Sequence, residues 1–274
     1  VIIDGLDQAS RPDPSSPPGA SSLPEASSLP ETSSLPVTDR TRLRRFPENG
    51  SHQRQDLYRI LDAAWTCHLG VVVDGYPMVV PTSYGRAGDR LYVHGSAASR
   101  SLRTARRQPI CVTVTLVDGI VIARSLFNHS VNYRCAMAFG VAQVVDSDAK
   151  LNALRIISDH VVPGQWDYAR PPSPRELAQT TVLELALDEA SVKVSEGPPD
   201  DGDGPDGPSS CWAGVIPVAV VASAPVADPA LRDGIALPGH LTQVANGMAA
   251  RMAAVDPRHG ASDHGATGHG PTGR

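Results

Sequence analysis

The chain has 274 residues, a formal net charge of −5, and 24 Gly and 25 Pro against 4% aromatic residues. That balance argues against a general nucleic-acid binder, and no stretch is apolar for long enough to span a bilayer. Gly, Pro and Ser are so unevenly spread that one globular domain of about 180 residues is expected rather than two.

Residues 1–40 contain the near-repeat SSLPEA, SSLPET, SSLPV. Such a segment buries too little apolar surface to offset its ordering entropy, so a disordered arm is expected there. It has no basic n-region followed by an apolar h-region, which predicts a cytoplasmic protein. Arg40 to Arg45 reads as a flexible basic arm beside the domain edge, and the domain is expected over 41–225. From Arg54 to Trp65, Leu57, Ile60, Leu61 and Ala64 recur at helical spacing, so an amphipathic helix opens it.

Cys67 to Val73, Tyr76 to Tyr84 and Arg90 to His94 read as strands, with Gly85 to Asp89 as the turn between the last two. His94, Gly95, Ser96, Ala97, Ala98 and Ser99 then offer backbone N–H groups and hydroxyls at the start of a helix over Ser99 to Arg107. That helix carries Arg100, Arg103, Arg106 and Arg107. The arrangement suits a bound phosphate. It equally suits an N-capped surface helix with a solvated basic face.

Ile110 to Leu116 and Cys135 to Val145 are the next strands. A helix follows over Asp148 to His160, from its SDAK start and the spacing of Leu151, Leu154, Ile157 and Val161. Val182 to Val194 reads as one long strand, the breaker-rich 200–210 as a mobile loop, and Val215 to Val221 as the last strand. From 226 a Gly/Ala/His-rich tail is expected, with one short helix over Leu241 to Ala254. Cys67, Cys111, Cys135 and Cys211 show no paired spacing, so buried strand thiols are expected. His240, His259, His264 and His269 define no coordination sphere, and no metal is assigned. Short strands interrupted by few helices predict a mainly β protein, a barrel with peripheral helices rather than a doubly wound sheet.

Six segments share a common order: GYPMVVPTSY at 75–84, LYVHGSAASRSL at 91–102, HSVNYRCAMAFGVAQVV at 129–145, HVVPGQWDYARPPSPREL at 160–177, LDEASVKVSEGPP at 187–199 and CWAGVIPV at 211–218. Together they resemble the pyridoxamine 5'-phosphate oxidase-like family of FMN-binding split barrels, and more closely its branch that includes the 5-nitroimidazole resistance proteins. The resemblance implies a split β-barrel homodimer with FMN at the interface. Pro81, Thr82, Ser83 and Tyr84 would line the flavin ring edge. Gly95, Ser96, Ser99, Arg100 and Ser101 would surround the phosphate. Ser101 stands where the oxidases carry Lys after the Arg, which leaves Arg103 or Arg134 to make up the charge.

His94 matches a histidine near the flavin in that branch. It is a candidate proton donor, or a simple hydrogen-bond partner of the cofactor or a backbone carbonyl. Asn132, Tyr133 and Arg134 match a region where relatives touch FMN. Tyr133 also suits barrel packing, and Arg134 also suits pairing with an acidic neighbour. Trp166 suits core or interface packing, and Trp212 suits stacking beside the flavin. Two functional classes follow. One is an oxidoreductase passing electrons from NAD(P)H through FMN to a small nitro- or quinone-like acceptor, the nicotinamide binding transiently because no GxGxxG fingerprint is present. The other is a non-catalytic protein holding FMN, a deazaflavin or haem. A true pyridoxamine phosphate oxidase is disfavoured, since its substrate-binding His and Arg are not recognisable near the C-terminus.

Overall fold

Each strand of the computed structural model pairs antiparallel with its neighbours, and the structure describes residues 33–253. In chain order the elements are β1 (Gly50–Ser51), α1 (Arg54–Ala63), β2 (Thr66–Val73), β3 (Tyr76–Ala87), β4 (Arg90–Ser96), α2 (Arg100–Ala105), β5 (Ile110–Ile122), β6 (Ser130–Gly140), β7 (Gln143–Val144), α3 (Ser147–Val161), α4 (Gln165–Tyr168), α5 (Pro174–Gln179), β8 (Thr180–Ala186), β9 (Glu189–Ser195), β10 (Gly214–Pro217) and α6 (Gly239–Ala253). The strands run β1-β9-β6-β5-β2-β3-β4-β8-β7, with β10 on β5. This is the split barrel expected from the sequence.

Strand β3 makes the split. Its residues up to Ser83 pair with β2, and those from Tyr84 onward pair with β4. Beyond Val93, β4 leaves β3 and continues along β8 alone. Period-two alternation fills the interior: Cys67, Leu69, Val71 and Val73 of β2 and Ile110, Val112, Val114 and Leu116 of β5 are buried. A bulge between Val117 and Gly119 reverses that parity, so Val121 and Ala123 point inward and Asp118 is the unpaired extra residue. Helix α1 closes one end of the barrel with Leu57, Ile60 and Leu61.

Several expectations are corrected. Gly85 lies within β3 rather than in a turn, which is confined to Gly88 and Asp89. Val182 to Val194 is a hairpin, because the chain reverses at Leu187 and Asp188. Order begins before residue 41: Leu35 is buried in the core, its N–H donates to the His52 carbonyl at 2.6 Å, and Arg40 pairs with Glu189 at 2.6 Å. The rest of the expected disordered arm lies outside the described residues, as do His259, His264 and His269. The 200–210 loop is pinned, since buried Asp201 accepts from the N–H groups of Arg124 at 2.6 Å and Ser125 at 2.9 Å. Of the thiols, Cys67 is buried and pushed up to about 12 by desolvation, Cys111 and Cys135 are half-buried, and Cys211 is exposed outside any strand. Among the described residues no helix is long and apolar enough to cross a membrane.

Candidate functional site

Helix α3 creates a cavity by lying across β3. Asp146 caps its start by accepting from Ala149 N at 3.2 Å. Lys150 Nζ ties that first turn to the carbonyls of Leu177 and Thr180 at 3.3 and 3.1 Å. At the other end His160 Nε2 meets the Ala64 carbonyl at 2.8 Å, and its ring lies 4.6 Å from that of Tyr84. The space left between helix and strands is about 620 Å³. Leu154, Ile157, Val161 and Trp166 make its wall apolar, Ser83 and His94 face it from the strands, and Arg170 and Glu176 stand at its rim.

His94 is the chemically distinct group in this cavity. It is half-buried, and its Nδ1 is buried without a hydrogen-bond partner. Desolvation pushes its pKa below the ordinary imidazole value, so at neutral pH the ring is uncharged and keeps a lone pair. The rim is electrostatically settled. Arg170 binds Glu176 through two contacts at 2.6 and 2.9 Å, and this pairing, with Ser173, holds the Glu176 carboxyl down to about 2.

The small-residue loop after β4 is more self-satisfied than the sequence suggests. Ala97 N donates to Gln179 O at 2.8 Å, Ala98 N to Ser96 Oγ at 3.2 Å and Ser99 N to Ser96 O at 2.9 Å, while Gly95 and Ser96 lie in the β8 ladder. An anion there would be held by side chains rather than by a nest of free N–H groups. Ser99 N-caps α2, its Oγ lies 2.9 Å from that of buried Ser101, and Arg100 is exposed 3.6 Å from Asp74. Arg100 also opens onto a groove of about 650 Å³ beside α2.

The remaining expected residues lie elsewhere. Asn132 and Tyr133 line a third pocket of about 360 Å³ with Phe46 and Lys193, and Asn132 Nδ2 donates to Gly197 O at 3.0 Å. Arg134 is buried and spans Asp118 with contacts of 2.8 and 2.6 Å, so its charge is already committed and it is not a spare phosphate cation. Tyr84 is wholly buried, its hydroxyl donating to the Leu61 carbonyl, which removes its side chain from any ring edge. Pro81 is exposed and Thr82 half-buried, the Thr82 hydroxyl 3.5 Å from the His94 carbonyl across the strand split. Trp212 is 66% exposed, with its indole over Gly214.

One chain therefore brings Ser83 together with His94, and Ser99 with Arg100 and Ser101, but leaves Asn132, Tyr133 and Trp212 apart from them. The outer face of the sheet links these places. Register aligns Val79 with Gly70, Cys111 and Phe139, and Pro81 with His68, Thr113 and Met137. That face carries no Asp, Glu, Lys or Arg across β3, β2, β5 and β6, and Val79 is 66% exposed on it. Gln165, Arg170 and Glu176 are cavity residues that the sequence reading missed. The SPRE capping box that starts α5 signals Glu176.

The chain matches the family described as pyridoxamine 5'-phosphate oxidase over residues 53–194. Among solved structures it is similar to the flavocytochrome Anf3 from Azotobacter vinelandii, at 38% identity over 75% of this chain and 96% of that one, with a TM-score of 0.72. It is also similar to the FAD and haem binding protein from Mycobacterium smegmatis, at 38% identity over 72% of this chain and 97% of that one, with a TM-score of 0.69. No curated protein matches it.

Proposed function

Because the chain belongs to the pyridoxamine 5'-phosphate oxidase family, we propose that it is a flavin-binding redox protein, a homodimer that also seats haem in the cavity beneath α3. The observation that carries the haem assignment is the half-buried, neutral His94 ring on the wall of an apolar cavity. A neutral imidazole would offer haem iron its lone pair and is a poor standing acid, so His94 would serve to hold the haem rather than to donate a proton.

The two relatives named as a flavocytochrome and as an FAD and haem binding protein support the same pair of groups. Ser96, Ser99, Arg100 and Ser101 would hold the phosphate of the flavin's FMN half, with Arg100 supplying a planar fork for a dianion. The uncharged outer face of β3, β2, β5 and β6 would pair with a second copy, bringing Asn132, Tyr133 and Trp212 of one chain toward the phosphate loop of the other. When bound, the flavin supplies hydride acceptance from NAD(P)H and the haem an iron site for a small acceptor. The chain's part is to exclude water with α3 and Trp166, to keep His94 neutral, and to hold the phosphate.

The test is the mass of ligands released from purified protein, followed by anaerobic titration with NADPH and NADH. Release of flavin and haem, with bleaching of the flavin absorbance by either nucleotide, is the expected result. Flavin that stays oxidised under both donors would reduce the protein to a carrier.

A further inference from the structure

We propose that the groove beside α2 binds the diphosphate of a dinucleotide, next to the single phosphate assigned to Ser99, Arg100 and Ser101, with Arg100 at the edge they share. The distinction between the two rests on the flavin reading above. Arg103, Arg106 and Arg107 line the groove together with Val72, Thr104 and Gln108.

Within the barrel several arginines are matched, although among the described residues Arg42, Arg44, Arg45, Arg175 and Arg232 outside it also show no ion pair. Arg54 meets Asp89, Arg86 meets Asp62, Arg90 meets Glu184, Arg124 meets Asp201 and Arg134 meets Asp118. Among the described residues no carboxylate comes within 4.0 Å of Arg103, Arg106 or Arg107, and Asp74 approaches only Arg100. Arg103, Arg106 and Arg107 thus line one concavity with no ion pair of their own, on a chain whose net charge is negative.

The groove is also built. Gln108 Nε2 donates to Val72 O at 2.6 Å, fixing the segment after α2 to the end of β2. Arg107 N donates to Thr104 O at 3.0 Å, which turns the chain so that Arg106 and Arg107 follow Arg103 onto the same groove. At the opposite rim Asp74 and Gly75 adopt left-handed conformations, with φ of 51° and 82°, and set the Asp74 carboxylate at the mouth. Two adjacent phosphates spread their acceptor oxygens over a longer span than one phosphate, so forks from arginines along the groove can each reach one. Asp74 and Thr104 suit the hydroxyls of a ribose attached to them. The concavity, about 650 Å³, favours a nucleotide over a flat protein surface.

Two sources share this chemistry: the outer phosphate and adenylate of FAD, and the diphosphate of NAD(P)H. The test measures binding of ADP, FMN, FAD and NADPH to the full chain and to the double variant Arg106→Gln, Arg107→Gln, by calorimetry. ADP should bind the wild type and weaken at least about tenfold in the variant, while FMN is unchanged. A matching loss for FAD alone assigns the groove to the flavin, and one for NADPH alone assigns it to the donor. Failure of ADP to bind the wild type, or equal affinities for ADP and both dinucleotides in the two proteins, overturns the proposal. Failure of FMN and FAD to bind the wild type overturns the flavin reading instead, and the ADP result still decides the groove.

Discussion

Gly85 lies directly beneath α3: a Cβ at Gly85 would stand 2.7 Å from the Ile156 carbonyl oxygen and 2.8 Å from the Ile157 Cα. Backbone rests on backbone here, and that close seat sets the depth of the cavity that His94 faces. Gly85→Ala must lift the helix or bend the strand, at a cost of about 1–3 kcal/mol. Thermal denaturation should show the loss, and haem uptake should fall with it.

His94 makes stability depend on pH. Its folded-state pKa lies below its ordinary value near 6.5, so the unfolded chain binds the proton more readily in the window between the two. Stability should therefore be full above pH 6.5 and decline as pH falls through the folded value. His94→Gln should flatten that part of the profile in urea melts taken from pH 7.5 to 5. An unchanged slope would locate the dependence in another group.

Asp118 and Arg134 form a structural pair at the β5 bulge, the arginine buried and the carboxylate partly exposed. Removing the carboxylate in Asp118→Ala takes an ion-pair partner from a buried cation. The loss should be about 1–3 kcal/mol, less than for a fully buried pair because solvent reaches Asp118. Flavin affinity should stay within about twofold, since this arginine is not assigned to the phosphate. A large loss of flavin binding by the folded variant would return Arg134 to the site.

Asp201 holds the 200–210 loop against Arg124 and Ser125 through three contacts, two of them to backbone N–H groups. Asp201→Asn weakens the charge-assisted bonds and should speed limited proteolysis within 202–210 while leaving the barrel core intact. Cleavage at the wild-type rate would show that the loop is secured by other contacts.

Much of the barrel was legible because its signals are local. Leu57, Ile60 and Leu61 announce α1, and Ser99 marks the start of α2. Gly85 misled because a glycine that admits a neighbouring helix is indistinguishable, in one sequence, from a turn glycine. The β8–β9 hairpin was hidden for the opposite reason: its reversal at Leu187 and Asp188 contains neither Gly nor Pro, and Leu187 is itself buried. For the site, His94 and the arginine-bearing helix could be read directly. The pairing of Arg134 with Asp118 could not, since it depends on a bulge that brings residues sixteen apart in sequence together across two strands.

The most direct test of the account is a haem titration, followed by absorbance, of the wild-type protein and of His94→Ala. A saturable Soret band is expected in the wild type and a loss of affinity of about tenfold or more in the variant, with flavin absorbance unchanged. A Soret band of the same position and strength in both proteins would contradict the assignment of His94 as the ligand and, with it, the haem cavity beneath α3.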